Sequence, residues 1–194
     1  MSRLLFLFFL VLMSAACSSC KKSEETADTN LPKHSFATWE ACGQDPGDHP
    51  CNFILKNQDG SSIELYDFYG KIIIVDFSVM WCGPCQSMAL VSDSIVEDYG
   101  NQNVEWLTLI IENEYGAEPS IEDLQRWSEM NNVSGHVLAS DRSIIDNEQP
   151  YADGYPVSGW PTFFIIDDEM VMRLGVRGWS ESILRQNLDL LIVE

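Results

Sequence analysis

Ile72-Ile73-Ile74-Val75-Asp76-Phe77-Ser78-Val79-Met80-Trp81-Cys82-Gly83-Pro84-Cys85 is the stretch on which the reading of this chain turns. From Ile72 to Ser78 it is a near-continuous apolar run, the pattern of a central strand buried on both faces. Beyond Cys85, the apolar residues Met88, Val91, Ile95 and Tyr99 recur at steps of three and four until Gly100, so a helix follows the strand. A Cys-x-x-Cys pair at such a junction is a redox device for physical reasons. The first thiol lies at a helix N-terminus, where unpaired N–H groups and the helix dipole favour a thiolate. Cys82 is therefore the expected nucleophile. Cys85, one helical turn on, faces the same side and can attack a mixed disulfide formed at Cys82. Pro84 suits the first turn because its missing N–H has no intrahelical acceptor there.

The flanking sequence reads as alternating strands and helices. Asn52 to Leu55 and Ser62 to Leu65 enclose the turn signal Asn57-Gln58-Asp59-Gly60 and predict a small hairpin. Val104 to Ile111 predicts a second buried strand. Ser120 opens a helix, with Asp123 as a short capping-box acid and Ile121, Leu124 and Trp127 as its apolar stripe. Thr162 to Ile166 and Met170 to Leu174 predict an antiparallel hairpin joined by Asp167-Asp168-Glu169, whose acids read as a solvated turn. Ser180 caps a last helix with Ile183, Leu184, Leu188 and Leu191 on its buried side. The expectation is an α/β domain with a central mixed sheet flanked by helices and an N-terminal β-hairpin extension.

The chain has 194 residues and a formal net charge of −19. That charge repels phosphate backbones and argues against nucleic-acid binding. At the N-terminus, Arg3 precedes an unbroken apolar run from Leu4 to Met13, followed by small residues. The run is shorter than the roughly 20 residues of a membrane-spanning helix and has the layout of a signal peptide over residues 1–16. Ser14-Ala15-Ala16-Cys17 resembles a bacterial lipobox, which would make Cys17 a lipidated mature N-terminus. It departs from the usual pattern in having Ser14 rather than Leu, and ordinary signal-peptidase cleavage with a soluble product stays open. Residues 17–35 are polar, with little to bury, and read as a flexible tether; residues 36–194 read as the folded domain.

Six cysteines do not behave as one set. Cys20 lies in the tether with neither strand nor helix beside it. Cys42 and Cys51 bracket a loop rich in Gly, Pro and Asp, and in an oxidising compartment a structural disulfide is the expected pairing. A metal site from Cys42, His49 and Cys51 lacks a convincing fourth ligand. Zinc at Cys82 and Cys85 is disfavoured, since no second Cys-x-x-Cys lies in the folded part. No metal is expected. His34, His49 and His136 read as surface or packing residues.

Val75-Asp76-Phe77 followed by Trp81-Cys82-Gly83-Pro84-Cys85 resembles the active-site strand and motif of the thioredoxin superfamily. The wider run through Phe53, Asp59-Gly60, Leu65 and Gly70-Lys71 is similar to the exported branch typified by the TlpA and ResA thiol-disulfide proteins. The likeness runs from about Phe53 to the C-terminus. It implies a thioredoxin-like fold in which Asp76 is a buried acid moving protons to and from Cys85. It also implies that Pro161, in Gly159-Trp160-Pro161-Thr162, is a cis-proline presenting the backbone of Trp160 to an extended substrate segment. Trp81 matches the active-site tryptophan and, with Gly83 and Pro84, would border the substrate. There are departures: Trp160 is bulkier than usual, Ser78-Val79-Met80 replaces a more familiar aromatic and polar run, and many exported relatives carry Asn at the position of Asp76.

The resemblance implies a thiol:disulfide oxidoreductase acting on protein thiols and disulfides in the periplasm or cell envelope. Its Gly-Pro dipeptide resembles reducing members, and a membrane electron donor would serve a reductase. No cofactor is expected beyond a redox-active Cys82–Cys85 disulfide. Two alternatives stay open: a peroxide-reducing thiol enzyme on the same fold, and a surface interaction protein in which Cys82–Cys85 is a permanent structural clip.

Overall fold

The computed structural model describes residues 34–145 and 154–193. The expected signal peptide, Cys17, Cys20 and nearly all of the tether lie outside the described residues. The compact unit runs Phe36–Glu194. Its centre is β3, Ile72–Val79, in which every residue is buried. Complete burial of Ile73, Ile74 and Val75 stabilises the fold by about 1.5–3 kcal/mol each.

Seven strands form one mixed sheet in the order β2-β1-β5-β4-β3-β6-β7. The strands not yet given are β1 (Ile54–Asn57), β2 (Ser62–Glu64), β4 (Val104–Glu112), β5 (His136–Ala139), β6 (Thr162–Ile166) and β7 (Met172–Arg177). Strand β3 pairs parallel with β4 and antiparallel with β6. The helices are α1 (Gly83–Asp98), α2 (Ile121–Asn131) and α3 (Glu181–Val193). Met88 and Ile95 of α1 and Leu184 and Leu188 of α3 cluster with Ile72, Ile74, Phe163 and Ile165 on one face of the sheet. Leu124 and Trp127 of α2 cluster with Ile73, Val75 and Phe77 on the other. The alternation of side chains along β3 thus divides the core in two.

Several expectations need correction. The N-terminal hairpin begins two residues later in its first strand, and it extends the edge of the sheet as expected. Strand β1 pairs antiparallel with β5, which brings the hairpin into the main sheet. Strand β5 itself was not expected, because four residues between polar neighbours carry too short a period to register. The C-terminal hairpin's second strand begins at Met172, since Met170 sits at φ 59 in the turn and is held there by its N–H to the Asp167 carbonyl. Asp167 is buried rather than solvated: its carboxylate accepts from the Glu169 and Val171 N–H groups and pairs with Arg173. On α3, Leu184 and Leu188 are buried, whereas Ile183 is 42% exposed.

The capping box of α2 forms as its sequence predicts. The Ser120 hydroxyl accepts from the Asp123 N–H at 3.2 Å, and the Asp123 carboxylate accepts from the Ser120 N–H at 2.8 Å. Cys42 and Cys51 are disulfide-bonded, with Cα atoms 4.8 Å apart. Both sulfurs are thereby withdrawn from metal ligation, and His49 instead stacks on Trp39 at 3.8 Å with its Nδ1 2.7 Å from the Met170 carbonyl. The bridged loop docks on β7 through Gly47 N–H to the Met172 carbonyl and Met172 N–H to the Asp48 carbonyl, both 2.8 Å.

Candidate redox site

Strand β3 ends at Val79, and the chain turns into α1 within three residues. The turn is fixed by the Cys82 N–H to the Val79 carbonyl at 3.2 Å, and by the Gln86 side chain to the Met80 carbonyl at 2.9 Å. Cys82 is the N-cap of α1, in extended conformation at φ −95 and ψ 111. Its Sγ accepts the Cys85 N–H at 3.3 Å. This is the place an N-cap oxygen usually fills, so the sulfur occupies the positive end of the helix. Cys82 and Cys85 are joined in a disulfide. Both cysteines are buried, Cys82 at 7% exposure and Cys85 fully, so Cys82 is the one nearer the surface.

Asp76 is fully buried on the face of β3 that carries Ile72 and Ile74 toward α1. Burial pushes its carboxyl up to about 7, because the charged form loses its hydration. The Ser78 hydroxyl works against the rise by donating to Oδ1 at 2.7 Å. Thr108 and Trp106, which face it from β4, also temper it, although Oδ2 has no partner within hydrogen-bond geometry. A carboxyl set near neutrality is suited to taking and returning a proton. In the sequence Ser78 stands out only as a departure from the family pattern; its contact with Asp76 follows from alternate residues of a strand sharing one face.

The Trp160–Pro161 peptide bond is cis. Phe77 pairs with Thr162 across the β3–β6 ladder, so Pro161 lies at the C-terminal end of β3, where the chain turns toward Cys82. Pro161 is buried and Trp160 half-buried against the core. Trp81, Gly83 and Pro84 are all exposed. The half-buried Trp160 lies at the same end of the sheet. By contrast, a cavity of about 450 Å³ lined by Asp93, Glu97, Glu105 and Trp106 lies toward the start of β4, the opposite end of the sheet from the cysteines.

One residue of this end was not foreseen. Glu112, the last of β4, accepts the Trp81 indole N–H at 3.1 Å and pairs with Arg142 at 2.7 Å. Nothing in the local sequence marks it, because the contact joins residues 31 apart.

A sheet in this order, with a Cys-x-x-Cys disulfide capping the helix after the central strand and a cis-proline at the neighbouring strand, defines a thioredoxin-like protein. Residues 46–174 match the AhpC/TSA family, and the chain belongs to it. Among curated relatives, the thiol-disulfide oxidoreductase ResA of Bacillus subtilis is 26% identical over 141 residues, covering 72% of each chain. The crystal structure of a putative thiol:disulfide interchange protein DsbE from Chlorobium tepidum superposes with a TM-score of 0.63 at 21% identity, covering 77% of this chain and 99% of that one. The pneumococcal exposed lipoprotein thioredoxin Etrx1 of Streptococcus pneumoniae superposes with a TM-score of 0.57 at 26% identity, covering 73% of this chain and all of that one.

Proposed function

We propose that this chain is a thiol:disulfide oxidoreductase that reduces disulfides of protein partners outside the cytoplasm, with Cys82 as nucleophile and Cys85 as resolving thiol. The observation that carries the reading is the Cys82–Cys85 disulfide at the N-terminus of α1, with Cys82 as its N-cap between the exposed Trp81 and Gly83. In the reduced protein the Cys82 thiolate attacks one sulfur of a substrate disulfide. A mixed disulfide forms, and the first substrate thiolate leaves. Cys85 then loses its proton, for which Asp76 is the acceptor, and attacks the Cys82 sulfur. The second substrate thiolate leaves as the Cys82–Cys85 disulfide closes. Two electrons pass to the substrate, and an external dithiol, such as a membrane electron donor, must return them. No cofactor beyond the cysteine pair is required.

The exposure of Trp81, Gly83 and Pro84 on either side of Cys82 supports a protein substrate, because an extended substrate segment docks on exposed surface. Export is supported by the signal-peptide layout of residues 1–16, and anchoring by Cys17. Among the described residues no helix is long and apolar enough to cross a membrane. The relative named as a thiol-disulfide oxidoreductase and the neighbour named as an exposed lipoprotein agree with this reading.

The test is insulin reduction with dithiothreitol as donor. Turnover that disappears in Cys82→Ser is expected; an inert wild type would leave the cysteine pair as a structural clip, and consumption of hydrogen peroxide in place of insulin would favour the peroxidase alternative. The direction is tested by equilibrating the pair against glutathione. Potentials of related couples span about −270 to −120 mV, roughly 7 kcal/mol, and a value near the upper end would overturn the reductase role.

A further inference from the structure

We propose that Glu112, held by Arg142, is a positioning residue that fixes the Trp81 indole as a docking platform beside Cys82. This rests on the disulfide-exchange reading. Trp81 directly precedes the nucleophile and is 52% exposed. An aromatic side chain that exposed ordinarily samples several rotamers, yet its Nε1–H is tied to Glu112 Oε2 at 3.1 Å. The other carboxylate oxygen is taken by Arg142, through Nε at 3.0 Å and Nη2 at 2.7 Å. Glu112 therefore faces two donors with one oxygen each and has a single orientation that satisfies both. Its main chain is held as well, because its carbonyl accepts the Met80 N–H at 2.9 Å.

The sheet is built to place it there. Strands β3 and β4 pair in step from Ile72 with Val104 to Ser78 with Ile110, and then the register slips so that Val79 faces Glu112. The slip leaves Ile111 without an opposite residue. Since side chains alternate between faces, one extra residue redirects every side chain after it, and bulges of this kind re-aim residues beside active sites. The Glu112 side chain is 13% exposed while Arg142 and Trp81 are more than half exposed, so these bonds serve to fix geometry rather than to add much stability. The indole N–H is thus occupied while half of the side chain stays exposed. A tryptophan pre-set in this way presents contact area to a substrate segment without an ordering cost at the moment of binding.

A merely structural ion pair between β4 and the turn at Arg142–Ile144 would predict a general loss of stability instead. The two are separated in the full-length protein labelled with 5-fluorotryptophan, with the Trp81 resonance assigned through Trp81→Phe among the six tryptophans. Glu112→Ala is expected to shift the Trp81 resonance and raise the KM for insulin about fivefold while kcat changes less than about twofold. Glu112→Gln, whose amide oxygen still accepts the indole N–H, should restore most of both. Unchanged KM with an unchanged resonance, or equal losses in kcat and kcat/KM in both variants, would overturn the proposal. Should Glu112→Ala not fold, Arg142→Ala, at an exposed position, must move the same two readouts in the same direction. A wild type inert on insulin would sink the exchange reading, whereas the resonance comparison would still decide whether Glu112 orients the indole.

Discussion

The Ser78 hydroxyl donates a 2.7 Å hydrogen bond to Oδ1 of Asp76, with both side chains fully buried. Burial raises the carboxyl to about 7, and this neutral donor opposes the rise by stabilising the charged form. The Asp76 carboxyl, the proton acceptor proposed for Cys85, is therefore set by a balance between desolvation and its polar neighbours, of which Ser78, two residues on along the same strand, is the foremost.

Removing that hydroxyl should move the balance. In Ser78→Ala the Asp76 carboxylate loses its donor, so its ionisation shifts upward by roughly half to one pH unit, the equivalent of about 1 kcal/mol. Rapid-mixing measurement of mixed-disulfide resolution between pH 5 and 9 should show the rising limb displaced to higher pH. An unmoved limb would remove Asp76 from the proton path.

Asp76 also gives stability a dependence on pH. The folded protein holds this proton to about 7, whereas the unfolded chain releases it near the ordinary value of 3.8. Between those values the folded state binds more protons, so the contribution is complete below about 3.8 and is lost as pH rises through 7. Asp76→Asn avoids the buried charge. It should stabilise the protein at pH 8 by on the order of 2–4 kcal/mol relative to its effect at pH 4, while slowing resolution. Thermal melts at the two pH values check this, and equal shifts at both would contradict the buried, titrating carboxyl.

The position of Cys82 at the N-cap of α1, with Cys85 inside the helix and fully buried, predicts an asymmetric trap. Cys85→Ser should accumulate a stable mixed disulfide between Cys82 and an insulin chain, visible by intact-mass spectrometry, whereas Cys82→Ser should accumulate none. Comparable trapping through Cys85 would reverse the assigned order of attack.

The second disulfide has a different task. Replacing Cys42 and Cys51 together by Ser opens a loop with a sequence separation of 9 and should cost about 2–3 kcal/mol of stability. Because the loop docks on β7 rather than on α1, insulin reduction at 25 °C should persist. Loss of turnover in a variant that still melts cooperatively would tie this loop to the redox site.

For Cys17, the proposal of a lipid anchor predicts that the protein expressed in a bacterial host sediments with membranes and carries an acyl mass on its N-terminal cysteine. Cys17→Ala should abolish both. A wild type recovered only in the soluble fraction, cleaved before Cys17 without added mass, would establish the signal-peptidase route.

The parts of the fold legible in the sequence are those governed by local rules. The β3 run, the helix beginning at Gly83 and the Ser120 capping box depend on residues within a turn or a strand of one another, and each lies where its pattern places it. Strand β5 was missed because its four residues owe their extended state to pairing with β4 and β1, not to their own periodicity. Asp167 was misjudged for a similar reason: three acids in a row suggest solvent, but Arg173 from the next strand reaches one of them.

By itself, the sequence determined which two sulfurs can pair. Spacing three residues apart at a helix start brings two sulfurs within bonding reach in any fold that allows the helix, so Cys82 and Cys85 needed no tertiary information. The tertiary structure alone decided what surrounds them. The slip of β3 against β4 aims Glu112 at Trp81, the β3–β6 register sets Pro161 at the end of the central strand, and enclosure beneath α1 raises Asp76. Those outcomes depend on strand register and desolvation, which arise only when segments far apart in the chain are brought into contact.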